Sequence, residues 1–199
     1  MSSDPRTAIL EAAGEAFARF GFKKASVEDI ARRAGIGKGS IYLHFESKEA
    51  LFEACVRKAH ALSLSELKAS VSRATTPEAR VRAFIRCKLE QSARRPGGQQ
   101  IEIGTLFELG TQAVHFVPQM QAEDAEVLAR IIEEGIAQGV FTVAAPQQVA
   151  LGFMEIIMML TPRRMTQEFD AQAQQALDAC FDVFIRGLVA QPTPPRHKR

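Results

Sequence analysis

The stretch Lys38-Gly39-Ser40-Ile41-Tyr42-Leu43-His44 gathers side chains that can exchange hydrogen bonds with a polar partner. Lysine can donate to a guanine edge, serine can donate or accept, and glycine lets a backbone approach closely. Reading a base sequence in this way requires a short helix that is anchored on its inner side. Its outer side must be thin and polar enough to enter a groove about 12 Å wide. The spacing meets that requirement: Ile41 and Phe45, four apart, turn inward with Ile36, and Lys38, Gly39, Ser40, Tyr42 and His44 face outward. Two glycines around so short an element weaken a helix that serves only packing, whereas close approach to bases accounts for them.

Other chemistry finds little support. His44, His60, His115 and His197 are scattered, and Cys55, Cys87 and Cys180 are odd in number and far apart. Neither set has metal-ligand spacing or forms a disulfide framework, and no glycine-rich loop follows a strand. The expectation is a non-enzyme without metal or cofactor. The thiols read as buried and structural, with a redox role for Cys55 or Cys180 left open.

The elements that must position the polar stretch are helical almost throughout, because apolar residues recur at three and four and no alternating β-branched run is sustained. Asp4-Pro5, Thr76-Pro77, Val117-Pro118 and Ala145-Pro146 mark helix starts. Helix 1 is expected over about 5–20, with Ile9, Ala13, Phe17 and Phe20 inward and Gly21 closing it. Helix 2 (about 27–34) starts from Ser26 with Asp29 three later, a capping-box arrangement. Gly35-Ile36-Gly37 makes the turn into helix 3 (about 38–44), and Ser47 caps helix 4 to about residue 69. Helices 5 to 9 are expected near 77–94, 100–114, 118–138, 146–161 and 167–189. Arg95-Pro96-Gly97-Gly98 reads as a loop, and residues 191–199 as a disordered, basic, proline-rich tail. The fold class is therefore all-α with about nine helices, divided into residues 1–46 and 47–190.

The segment from Ser26 to Leu51, SVEDIARRAGIGKGSIYLHFESKEAL, resembles the signature of the TetR family of bacterial repressors. Phe20-Gly21-Phe22 at the end of helix 1 agrees, as does Glu134-Gly135-Ile-Ala-Gln-Gly139-Val140-Phe141 at the end of helix 7. The resemblance implies an N-terminal helix-turn-helix and a C-terminal domain that dimerises and encloses an effector. It implies phosphate contacts for Tyr42 and Lys48, a cap and backbone contact at Ser26, and base contacts for Lys38, Gly39 and Ser40. His44 would meet a phosphate or a base edge. Helix N-termini at Ser26 and Ser47 independently favour phosphate.

The expected eighth helix is apolar nearly all round, so both its own chain and something else should cover it. Helix 9 offers a second stripe, and a twofold four-helix interface accounts for both. Phe153 and Ile157 on helix 8, with Leu177, Phe181 and Phe184 on helix 9, are its expected anchors. Leu62, Phe84, Leu89, Ile103, Phe107, Phe116, Met120 and Phe153 are the candidate pocket lining, although the same residues can simply fill a core. Glu108 and Glu155 interrupt apolar runs. At Glu155 a buried carboxylate needs a partner or a proton, unless it lies at the dimer edge or selects a ligand.

Apolar residues make up 46% of the 199, which excludes wholesale disorder. Net charge is +2, with ten Lys and Arg against eight Asp and Glu in residues 1–60, a weak sign of a phosphate-binding face. The opening residues lack a signal-peptide core, and Val149–Thr161 is too short to span a bilayer and contains Glu155. The expectation is a soluble cytoplasmic homodimer that binds double-stranded operator DNA and is released by a small-molecule effector, with no membrane role. An activator, a ligand-independent regulator, or a helical interaction module without DNA remain the alternatives.

Overall fold

The computed structural model describes residues 4–94, 101–166 and 171–190. Among them the chain forms α1 (Pro5–Lys24), α2 (Val27–Arg33), α3 (Lys38–His44), α4 (Lys48–Ser72), α5 (Pro77–Ser92), α6 (Ile103–Ala113), α7 (Val117–Ala137), α8 (Pro146–Thr166) and α9 (Ala171–Leu188). The expected loop at 95–98, the start of helix 9 at 167–170 and the tail at 191–199 lie outside the described residues.

Local chemistry sets most boundaries. The side chains of Asp4, Ser26, Ser47 and Thr76 accept backbone N–H groups of the turns they open. The capping box at Ser26 is one-sided, because the Asp29 carboxylate turns to Arg32 instead. α2 and α7 close in the same way. Gly35 (φ 72°) and Gly139 (φ 71°) take the left-handed conformation. The amides of Ile36 and Val140 then return to the carbonyls of Ala31 and Gly135, at 3.0 and 2.8 Å.

α1 departs from expectation at its end. Gly21 (φ 77°) breaks the helix and one further turn runs to Lys24. Phe20 therefore faces out, with the guanidinium groups of Arg19 and Arg33 at 5.2 and 6.0 Å from its ring, rather than inward with Phe17. α8 also runs past its expected end, through Pro162, since a proline removes only one helical hydrogen bond from a helix otherwise held by packing.

Two apolar cores result. The first joins Ile9, Phe17, Phe22, Ile30, Ile41 and Phe45 to Phe52 of α4 and Phe116 and Met120 at the α6–α7 junction. Phe52 meets Phe17, Phe22 and Phe116 at ring distances of 5.2, 5.5 and 6.2 Å. The second joins the far end of α4 (Leu67, Val71) to α5, α7, α8 and α9, with Phe153 against Phe84, Phe181 and Phe184. An isolated antiparallel bridge, Phe141 to Val189, ties the α7–α8 connection to the end of α9.

Phe141 also explains Gly135. A methyl group on Gly135 would lie 2.8 Å from Phe141 Cγ and closer still to Cδ2 and Cε2, and that ring is buried. Overpacking of this kind typically costs 1–3 kcal/mol. Gly135→Ala should lower stability by about 2 kcal/mol in urea titration, whereas Gly110→Ala, open to space, should not lower it.

Candidate functional site

α3 is held from one side only. Ile41 and Phe45 are buried and Ile36 is half-buried beneath it, while Lys38, Gly39, Tyr42, Leu43 and His44 are exposed and Ser40 is half-buried. A side chain at Gly39 would meet nothing within 4 Å, so the fold itself does not need glycine there. Tyr42 is 48% exposed and Leu43 85%. Leu43 escaped the sequence reading, which sought polar chemistry on this face, yet an apolar side chain is what meets a thymine methyl. Lys38 Nζ lies 3.9 Å from Glu28 Oε1, a loose surface pair that leaves the ammonium available.

Lys48, at the first turn of α4, is fixed rather than free. Its Nζ donates to the carbonyl of Lys23 at 3.2 Å and stands 4.7 Å from the centre of the Phe22 ring. The same residue is gripped through the preceding peptide as well: the Lys23 N–H donates to Glu108 Oε1 of α6 at 2.5 Å. The Glu108 carboxylate lies against Gly21, where a Cβ would come within 2.9 Å of Oε2. Glu108 is thus not a cavity acid but a clasp between α6 and the end of α1. An apolar stretch in sequence does not reveal a neighbour 85 residues away.

The other expected positions scatter. Phe84, Leu89 and Phe153 are buried in the second core and Phe116 in the first. Leu62, Ile103 and Phe107 are exposed, the last by 65%. Glu155 is exposed on α8 and is not the buried carboxylate expected there. Phe153, Ile157 and Phe181 are buried within their own chain, and Leu177 and Phe184 are half-buried against the same core, so the first three offer a partner nothing. The outward apolar side chains are Leu151, Ile156, Met158 and Met159 of α8 and Val183 of α9, with Met159 81% exposed. An all-apolar helix carries no mark of which side its own core takes, and the bulky aromatics of α9 went inward.

Met120 does border a cavity, of about 300 Å³, between α4, α5, α7 and α8. His60, Lys88, Gln91 and Asp124, all passed over in the sequence, face it. Lys88 lies between Ile85, Cys87 and Leu89, and Asp124 lies one turn before Leu128, so charge on a buried helical face was the available signal. The thiols look structural where buried: burial pushes Cys55 up to about 12, and its Sγ donates to the Leu10 carbonyl at 3.5 Å.

Residues 9–55 match the family model for bacterial regulatory proteins of the tetR family. The chain is 30% identical over 139 residues to the HTH-type transcriptional repressor KstR2 of Mycolicibacterium smegmatis, spanning 68% of this chain and 67% of that one. The chain belongs to the TetR family of transcriptional regulators. It is 29% identical over 164 residues, 80% of its length, to the regulator YhgD of Bacillus subtilis, of which the match covers 84%. A solved TetR-family regulator from Pectobacterium atrosepticum superposes with a TM-score of 0.76 at 24% identity, over 94% of this chain and 95% of that one, a likeness of fold. Membership makes this TetR-family chain a helix-turn-helix DNA-binding regulator of transcription and not an enzyme. Among the described residues no helix is long and apolar enough to cross a membrane.

The clasp has a direct readout. Removing the acceptor in Glu108→Ala should speed hydrogen exchange at the Lys23 amide by roughly tenfold, the equivalent of one net hydrogen bond. Amides in the middle of α7 should keep their protection. Unchanged exchange at Lys23 would show that Glu108 does not hold it in solution.

Proposed function

We propose that this TetR-family regulator is a cytoplasmic homodimeric repressor that binds a palindromic operator in double-stranded DNA and leaves it when a small, mainly apolar effector binds. Residues 1–46 form the DNA-reading unit and 47–190 the effector and dimer unit. The observation that carries the reading is α3, anchored by Ile41 and Phe45 on one face and bare on the other. In this reading Lys38, Gly39 and Ser40 meet base edges, Leu43 a thymine methyl, and His44 a phosphate or base edge. Tyr42 and Lys48 hold phosphates, and Ser26 supplies the N-terminus of α2 to the DNA backbone. Lys48 Nζ, with one proton on the Lys23 carbonyl, keeps two for a phosphate.

Two half-sites need two chains, and the outward faces of α8 and α9 suit a twofold contact. Leu151, Ile156 and Met159 supply apolar area. On α9 the exposed positions Ala176, Ala179, Cys180 and Val183 are small, which allows helices to approach closely. This replaces the buried aromatics as the expected interface. Repression agrees with the name of the KstR2 relative.

Lys48→Ala should weaken binding to operator and unrelated DNA alike. It should reduce the salt slope by about two per dimer, one phosphate for each half-site. Lys38→Ala or Ser40→Ala should instead cost roughly 1–3 kcal/mol at particular base pairs. Fluorescence anisotropy across a salt series separates the two, and an unaltered slope for Lys48→Ala would remove its phosphate role.

The interface has its own test. Val183→Glu and Met159→Glu place a charge where a partner would bury it, so both should sediment as folded monomers with greatly weakened operator binding. Phe181→Glu should unfold the chain rather than split it, because Phe181 belongs to the intramolecular core. A stable dimer in both exposed-face variants would dismiss this contact.

A further inference from the structure

The cavity between α4, α5, α7 and α8 collects buried polar atoms that have no partner among the described residues. Asp124 is almost fully buried. Its Oδ2 accepts from Lys88 Nζ at 2.6 Å, while its Oδ1 accepts nothing. His60 Nε2 faces that oxygen at 3.5 Å, too far for a good hydrogen bond, and is itself unpartnered. The Nδ1 of the same ring stands 3.6 Å from Glu123 Oε2. Gln91 Nε2 donates to the Ser63 carbonyl at 2.7 Å, which fixes the amide and leaves Oε1 as a second vacant acceptor. Folded proteins pair nearly all such atoms, because burying an acceptor without a donor is costly. Two of them beside one cavity mark where donors belong.

The walls define the rest of the occupant. Val56, Val117, Met120, Met154 and Ile157 are apolar, and about 300 Å³ is the lower end of ligand-pocket size. Lys88 already balances the Asp124 charge, so no cation is required. An anionic oxygen would confront two acceptors. We propose that this cavity takes a small, uncharged, mainly apolar molecule bearing one or two hydroxyl or N–H donors, received by Asp124 Oδ1 and Gln91 Oε1. This deepens the effector reading, and only its regulatory consequence rests on that reading.

Isothermal titration of the full chain with 2-naphthol, 2-methoxynaphthalene and 2-naphthoate compares a donor, an ether without one and an anion on a common frame. The naphthol should bind at least tenfold more tightly than the other two. Gln91→Leu should reduce that preference. The paired change Lys88→Met with Asp124→Leu, which removes both buried charges together, should reduce it to less than threefold. Equal binding of naphthol and its ether, tighter binding of naphthoate, a preference that survives both variants, or no binding of any probe overturns the proposal. Operator release, followed separately by anisotropy, judges the effector reading. Donor-selective binding that leaves the operator bound defeats that reading and upholds the cavity chemistry. Release driven equally by the ether does the reverse.

Discussion

α4 belongs to both cores, and the rest of the molecule depends on that sharing. Its first turns give Leu51 and Phe52 to the aromatic cluster that supports α3, and its last give Leu67 and Val71 to the body. A helix of 25 residues is about 37 Å long, so a small tilt at one end displaces the other by a comparable distance. Packed interiors resist gradual deformation, so such a tilt must exchange one set of contacts for another. The start of α4 is further tied down by Lys48 on the Lys23 carbonyl, and Lys23 is tied through its own N–H to α6 by Glu108. The helix that starts beside the DNA-reading face is thus held by the end of α1, which α6 holds in turn, and not by α2 or α3 alone.

That arrangement matters because α3 cannot position itself. Seven residues, including one glycine, fall far below the length at which an isolated helix persists in water. Ile41, Phe45 and the closing turn at Gly35 fix it to α1 and α2, and the aromatic contacts of Phe52 fix that group to α4. Its outer face is free of packing duties, so Leu43 and Gly39 add nothing visible to the stability of the single chain. Residues of this kind, with no folding role, are where an external partner is read.

What was legible in the sequence was what local chemistry decides. Ser26, Ser47 and Thr76 as caps, the turn beginning at Gly35, and both ends of α3 follow from a few neighbouring residues. So did the inward pair Ile41 and Phe45. What failed needed knowledge of the third dimension. Helix 8, apolar on every side, could not say that Phe153 and Ile157 face its own core while Leu151 and Met159 face out. Glu108 could not reveal its distant partner at Lys23. Phe20 looked like one more member of the inner face of α1 until Gly21 turned the chain. His60, Lys88, Gln91 and Asp124 come from three helices, and their convergence is a product of packing that no spacing along the chain encodes.

The position of those four residues also bears on how a signal could travel. Val56, Ala59, His60 and Ser63 place α4 itself in the cavity wall, and Met120 serves both the cavity and the first core. A ligand there would press on the shared helix and on the α6–α7 junction at once. Binding can shift a conformational equilibrium only by the difference in its affinity for the two states. Vacant acceptors supply such a difference if the two states present them differently: a donor gains most in the conformation that brings Asp124 Oδ1 and Gln91 Oε1 to it together. Apolar walls accept many shapes with little discrimination, since one methylene more or less changes binding modestly. If the cavity takes such a ligand, the polar pair is the part of it that would couple ligand identity to the position of α4, and through Lys48 and Phe52 to the attitude of α3.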